Sequence, residues 1–359
     1  MRYLLLFVVL IQLIACNNDE SGQNPPSNLQ LTIDQNEELS GDVSFLATAD
    51  NANFYTFDFG DGGGYLRDDD GAISHSYSTI GDFLVKVRAH KTGTEFIEVV
   101  EDVTVNKVGG YQTPLTYPGY TLVWNDEFDG TTLGADWTPE IGTGSNGWGN
   151  NELQYYRAEN TSVQNGYLTI EARNEAYGGR NYTSSRLVTS GKQSFQYGRI
   201  DIRAKLPKGK GIWPALWMLG KNFNEVGWPQ CGEIDIMEMI GGGVGKDDTV
   251  YGTLHWDHSG AYACTCNQNN NYTLTTGIFN DKFHVFSIIW TSTSIKWYVD
   301  DVLFKTVDIS PAGLSEFRSE FFFIFNVAVG GNWPGSPDGS TVFPQQMIVD
   351  YVRVFQVNP

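Results

Sequence analysis

The stretch Gly232-Glu233-Ile234-Asp235-Ile236-Met237-Glu238-Met239 decides how the chain is read. Acids alternate with large apolar residues, so a β-strand here carries Glu233 and Asp235 on one face and Ile234 and Ile236 on the other. Glu238 breaks the rhythm. It lies five residues after Glu233, and on a regular strand it would turn toward the core. One extra residue at Ile236-Met237, a β-bulge, returns it to the acidic face. A surface strand with three solvated acids is the plain alternative, but the apolar residues between them demand a buried face. Three carboxylates gathered together repel, so the arrangement points to use.

With the bulge, four strand steps separate the two glutamate Cα atoms, about 13 Å. Long side chains leaning together over a curved sheet would bring the carboxyls toward the ~5–5.5 Å spacing of a nucleophile and a general acid in retaining glycoside hydrolysis. Asp235 between them can share a proton and help separate the two protonation states. Spacing alone does not say which glutamate takes which role.

Outward from this strand the pattern stays β. Short runs recur between Gly and Asn turns: Tyr167 to Ala172, Arg199 to Ala204, His284 to Trp290, Ile295 to Val299, Phe321 to Ala328 and Ile348 to Phe355. Only Ser310 to Arg318 suggests a short helix. Many strands at this spacing predict an all-β sandwich or jelly roll over residues 119–359. Trp213 and Trp217 lie four apart, on one strand face, and offer flat platforms for sugar rings. Trp228, five residues before Glu233, is placed to line the same site, and His255 to hydrogen-bond there. Core packing is the alternative for each tryptophan, and a structural role the alternative for His255.

Residues 29–107 form a smaller β-sandwich, read from the alternation in Val43 to Ala47 and Phe83 to Ala89. Residues 108–118, with Gly109-Gly110, Pro114 and Pro118, read as a linker. The acidic run Asp68-Asp69-Asp70 reads as a solvated loop rather than a calcium site. At the start, Arg2 precedes an apolar run, Leu4 to Ile14, too short to span a bilayer and ending in Leu13-Ile14-Ala15-Cys16. Residues 1–15 are read as a signal peptide and 16–28 as a polar tether. Cys231, Cys264 and Cys266 are an odd number from which no disulfide pair can be assigned, and Cys-x-Cys alone lacks the ligands of a structural zinc.

Acids number 42 against 23 lysines and arginines, for a formal charge of -19. That balance speaks against nucleic acid and anionic membrane surfaces as partners. Ten Trp and 40 Gly suit a β fold that binds flat apolar faces such as those of sugars.

Three resemblances follow from these residues. Glu233-Ile234-Asp235-Ile236-Met237-Glu238 matches the Glu-x-Asp-x-x-Glu signature of glycoside hydrolase family 16, and residues 119–359 resemble that family along their whole length. The segments Trp148 to Tyr156, Gly211 to Leu219 and Gly252 to Trp256 are similar to its laminarinase type. Phe57-Asp58-Phe59-Gly60-Asp61-Gly62 with His75-Ser76-Tyr77 resembles the polycystic-kidney-disease (PKD) type domain, which implies a spacer. Leu13 to Cys16 resembles the lipobox of bacterial lipoproteins. This implies a lipid on Cys16 and an exported chain held at the outer membrane or cell surface of a Gram-negative cell.

The family resemblance implies a concanavalin-like jelly roll with a concave substrate face. It makes Glu233 the nucleophile, Glu238 the general acid/base and Asp235 the assistant of the nucleophile. It adds Asn150, Arg186 and Asn326 as polar sugar contacts. It implies a structural calcium held by Glu127, the Gly166 carbonyl and Asp350, whose hard oxygens suit that ion, and no cofactor for catalysis. The expected activity is retaining endo-hydrolysis of β-1,3-glucan by a monomer. Beside it stand mixed-linkage glucan, agarase or carrageenase activity, and a non-catalytic glucan-binding surface protein. Sulfated galactans would favour more Arg and Lys near the acids than this chain carries.

Overall fold

The computed structural model describes residues 24–35, 41–77, 79–266 and 271–358. Cys16, the signal segment and most of the tether lie outside the described residues. The chain divides into two compact units, with the boundary in sequence between Gly110 and Tyr111.

The first unit packs a three-stranded sheet, Ser27–Asp34, Asp42–Asp50 and Ala72–Ser76, against a four-stranded one, Leu66–Asp68, Phe54–Asp58, Gly81–His90 and Phe96–Val105. Val43, Phe45, Phe57, Val85 and Val87 alternate inward to fill the space between them. The Phe59-Gly60-Asp61 corner is closed by its own residues. His75 stacks on Phe59 with ring centroids 4.0 Å apart and lies 2.7 Å from Asp61, and Tyr77 donates its hydroxyl to the Phe59 carbonyl. Asp68 accepts the N–H groups of Asp70 and Gly71, so the acidic run is a self-capped turn.

The second unit is a sandwich of two eight-stranded sheets. One runs Thr161–Gln164, Tyr167–Ala172, Gln345–Val357, Gly198–Lys205, His284–Trp290, Ser294–Val299, Val302–Asp308, with Tyr120–Asp126 also paired to Gln345–Val357. The other, which bears the acids, runs Ala261–Cys264, Thr249–His258, Glu233–Glu238, Ile212–Gly220, Phe321–Val329, Arg186–Val188, Thr138–Pro139, with Asn271–Thr273 on Thr249–His258. Inward-facing residues of both sheets, among them Ile202, Ile234, Phe286, Ile288, Trp297 and Phe325, are almost fully removed from water. The runs read from sequence as strands are strands, within a residue or two at most ends, and the helical stretch is a 3-10 turn, Ala312–Arg318.

The linker expectation needs correction. Residues 111–117 are part of the second unit, because their polar groups meet its side chains. Arg203 donates to the Tyr111 carbonyl and Arg353 to that of Thr113, while Tyr351 accepts the Thr113 N–H and Asp201 the Tyr117 hydroxyl. Gly and Pro composition signalled irregular backbone correctly, but irregular backbone with satisfied hydrogen bonds can be rigid.

Candidate active site

The acidic strand slips by one residue. Against Thr249–His258 the pairing runs Glu233↔His255 and Asp235↔Thr253, then jumps to Glu238↔Tyr251. Against Ile212–Gly220 it runs Asp235↔Trp217 and Met237↔Leu216, the same slip. Two consecutive side chains, Ile236 and Met237, therefore both enter the core. The energetics favour this. A regular strand would expose Met237, losing ~1.5–3 kcal/mol of burial, and would press an unpaired carboxyl into apolar surroundings, which costs more. Bulging avoids both penalties and leaves Glu233, Asp235 and Glu238 on one face.

Each glutamate is held by its own indole. Trp228 Nε1 donates to Glu233 Oε2 at 3.1 Å, and Trp213 Nε1 donates to Glu238 Oε1 at 3.0 Å. Asp235, 2% exposed, sits between them. His255 Nε2 lies 3.0 Å from Asp235 Oδ2 and 3.6 Å from Glu233 Oε1, and His255 Nδ1 is 2.8 Å from the Tyr262 hydroxyl. Burial pushes Glu233, Asp235 and Glu238 all up to about 8. The negative charge of Asp235 adds to the rise at both glutamates, while His255 opposes it. Hydrogen bonding with Glu233 and the charge of Lys305 pull Asp235 back. Such a cluster holds protons near neutrality, which a general acid needs.

Aromatic rings flank the acids. On the Glu233 side Trp228, 48% exposed, packs on Tyr262 at 5.3 Å. On the Glu238 side Trp333, 41% exposed, meets the ring of Trp213 edge-on at 5.6 Å and that of Tyr251 at 5.1 Å. Tyr251, Tyr262 and Trp333 were not foreseen. The signal for Trp333 was its place in Gly330-Gly331-Asn332-Trp333-Pro334, an aromatic on a turn directly after a core strand.

Trp213 and Trp217 do share a face, because Ile212–Gly220 pairs with Phe321–Val329 without interruption. The expected polar contacts are placed differently. Asn326, 5% exposed, accepts from Trp217 Nε1 at 2.7 Å and donates to the Tyr156 hydroxyl, so its amide is spent inside the scaffold. That corrects its reading as a sugar contact. Tyr156 donates onward to buried Glu152, which also accepts from Asn150 and Gln154. Asn150 thus serves to hold Glu152. Arg186 lies between the rings of Trp148 and Trp217, 4.7 and 4.8 Å from their centroids, and is ion-paired with Glu140 at 2.5 Å. It stiffens the tryptophans rather than presenting a free fork. Distant partners of this kind leave no mark on local sequence.

The calcium donors do not fit as expected. Both Glu127 oxygens accept from Arg353, at 2.8 and 2.7 Å, and Asp350 accepts from Arg203 at 2.6 Å. Each carboxylate is already neutralised by a guanidinium, and Gly166 sits in a tight turn at φ 77. Among the described residues two donor triads lie within 4.8 Å: His255 with Cys264 and Cys266, and Glu233 with Asp235 and His255. Cys264 and Cys266 are joined as a disulfide, which removes their thiolates, and the second triad is the acid cluster itself. Cys231 is free and buried.

Comparison with known proteins agrees with this geometry. The sequence profile of "Glycosyl hydrolases family 16" matches residues 148–353. The chain is 43% identical over 252 residues to a beta-glucanase of Rhodothermus marinus, covering 67% of this chain and 86% of that protein. It is 43% identical over 242 residues to the clotting factor G alpha subunit of Tachypleus tridentatus, spanning 67% of this chain but only 34% of that protein. Among solved structures, the laminarinase catalytic domain of Thermotoga maritima MSB8 is 48% identical with a TM-score of 0.61, covering 67% of this chain and 99% of that one.

Proposed function

We infer the activity from family membership and from the site together: the chain belongs to glycosyl hydrolases family 16. It is an endo-acting glycoside hydrolase that cleaves internal β-1,3 links of glucan of the laminarin type. The observation that carries this reading is the bulge that sets Glu233 and Glu238 on one face, each under a separate indole donor, with Asp235 between them.

Glu233, ionised, attacks the anomeric carbon, and Glu238, protonated, gives its proton to the departing glycosidic oxygen. The glycosyl–enzyme ester is then broken by water, whose proton Glu238 takes back, so configuration is retained. Asp235 and His255 beside Glu233 keep one negative charge, not two, next to the bond being formed. Trp228 and Tyr262 on one side and Trp213 and Trp333 on the other present rings to the sugar chain. The chain uses no cofactor for this chemistry, and the reading includes no calcium.

Incubation with laminarin, lichenan, agarose and carrageenan, following reducing ends and anomeric configuration by NMR, tests the proposal. Laminarin is expected to be cut with retention. Activity confined to agarose would overturn the substrate while keeping the family, and binding without turnover would favour a glucan-binding protein.

The first unit is assigned as a PKD-like spacer, on the convergence of Phe59, Asp61, His75 and Tyr77 at one corner. Attachment of the exported chain to a Gram-negative outer membrane or cell surface, through a lipid on Cys16, rests on the residues Leu13 to Cys16 alone.

A further inference from the structure

The acid cluster is approached from behind as well as from the solvent side. Two donors reach across the core from the opposite sheet. Trp297, on Ser294–Val299, donates Nε1 to the Asp235 carbonyl at 2.8 Å. Lys305, on Val302–Asp308, donates Nζ to the Gly252 carbonyl at 2.8 Å and to Thr265 Oγ1 at 2.7 Å. Gly252 stands between Tyr251 and Thr253, the partners of Glu238 and Asp235. The amine therefore grips the neighbouring strand directly opposite the bulge, where the extra residue interrupts the ladder. Gly252 leaves room for this: a Cβ there would meet the Trp297 ring at 2.5 Å.

Lys305 is an unusual occupant of a sandwich interior. It is 6% exposed, both of its hydrogen-bond acceptors are neutral, and its Nζ lies 5.3 Å from the centre of the Trp297 ring. A buried ammonium without a bonded carboxylate carries a desolvation penalty of several kcal/mol. The nearest offset is the negative charge on the other side of the same strand pair.

We propose that Lys305 is a positioning residue for the hydrolytic reaction. Its buried ammonium clamps the strand opposite the bulge and supplies the fixed positive charge behind Asp235. That charge lets one carboxyl of the cluster stay ionised while Glu238 keeps its proton. The inference rests on the hydrolase reading above and adds a residue to it.

The groups around Asp235 make Lys305 distinctive. Glu233 and Glu238 share its strand, His255 and Thr253 face it from Thr249–His258, Trp217 from Ile212–Gly220, and Trp297 and Lys305 from the opposite sheet. Of the other cationic side chains nearby, His255 stands on the solvent side of the cluster against Tyr262, and Arg186 is already paired with Glu140. Burial lowers Lys305 to about 8, an effect that the charge of Asp235 opposes, and Lys305 in turn lowers Asp235. Each favours the charged form of the other against the larger effect of burial.

The test compares the full-length wild type with Lys305→Met, Lys305→Gln and Lys305→Arg by pH profile of kcat/KM on laminarin and by thermal melting. Removing the charge raises the Asp235 carboxyl, so in the Met and Gln variants the acidic limb is expected to move up by about one pH unit, with about a tenfold loss on that limb. Arg restores the limb toward wild type even where altered geometry lowers kcat. Melting of the Met variant is expected to fall by a few degrees, since the Gly252 carbonyl and Thr265 Oγ1 lose a buried donor, so the limb position rather than the melting temperature carries the test. Should Met fail to fold, Gln, which keeps a donor, reads the same shift. Superimposable profiles, or a uniform loss at every pH without displacement of the limb, would overturn the proposal. Carboxyl titration by 13C NMR in wild type and the Gln variant reads the shift without turnover. An inactive wild type would thus sink the hydrolase reading separately, and equal titration curves would sink the role of Lys305.

Discussion

Trp213 donates its indole N–H to Glu238 Oε1 at 3.0 Å, so a single side chain is both a candidate sugar platform and the clamp on the proposed acid/base. The hydrogen bond favours the ionised carboxylate and lowers its pKa, which makes Glu238 a readier proton donor in the first step and leaves it ionised at the start of the second. Trp213→Phe keeps most of the ring and loses the donor. It is expected to lower kcat about 10- to 100-fold with little change in KM, whereas Trp213→Ala raises KM as well. Steady-state reducing-end assays separate the two.

The roles of the glutamates separate on activated substrates. Glu238→Ala should lose about a thousandfold or more on laminarin yet still form the glycosyl ester from an aryl glycoside with a good leaving group, and azide should restore turnover. Glu233→Ala should form no such ester. Intact-protein mass spectrometry after mixing with the aryl substrate decides the assignment, and an ester on the Glu233→Ala variant would reverse it.

Stability should fall as pH rises through neutrality. Glu233, Asp235 and Glu238 are raised by burial to about 8, above their unfolded values. The folded chain thus binds more protons than the unfolded one between about pH 4 and 8. The stabilising contribution is complete below the unfolded values and is lost as pH climbs through the folded ones. Glu233→Gln removes one such group, so its melting temperature at pH 8 is expected to exceed wild type by about 2–4 °C and to match it near pH 4. Calorimetry across that range checks the sign.

Trp333 continues the aromatic wall beyond Trp213. Trp333→Ala should raise KM on long laminarin about 5- to 10-fold, near the ~1–1.5 kcal/mol of one aromatic contact, with kcat held within about twofold. Short oligosaccharides that do not reach it should be unaffected.

Chelation tests the pairing of Glu127 with Arg353 and of Asp350 with Arg203. With these carboxylates already neutralised, EDTA is expected to leave both activity and melting temperature unchanged. A drop in melting temperature restored by calcium would show that the ion displaces the guanidinium groups.

Local patterns reached far into this molecule. Alternation located the strands, and the four-residue step put Trp213 and Trp217 on one face, as the uninterrupted pairing of Ile212–Gly220 shows. Roles that depend on distant partners were not legible. Asn326 looked available for sugar until Trp217 and Tyr156 were found on either side of its amide. Residues 111–117 looked like a free linker until Arg203, Asp201, Tyr351 and Arg353 met them. Lys305, within the strand Val302–Asp308, gave no hint that it lies behind the acids.

The acidic strand divides the two kinds of information. Side chains on a strand alternate with a period of two, so an odd separation between Glu233 and Glu238, with apolar residues between them, already required a bulge if both were to escape the core. Trp228, five residues before Glu233, was within reach of a local reading, but most of what stands against the carboxyls came from pairing segments far apart in the chain. Trp213, His255 and Lys305 reach the cluster because strand register and sheet stacking bring them there, and those depend on burying the whole core at once.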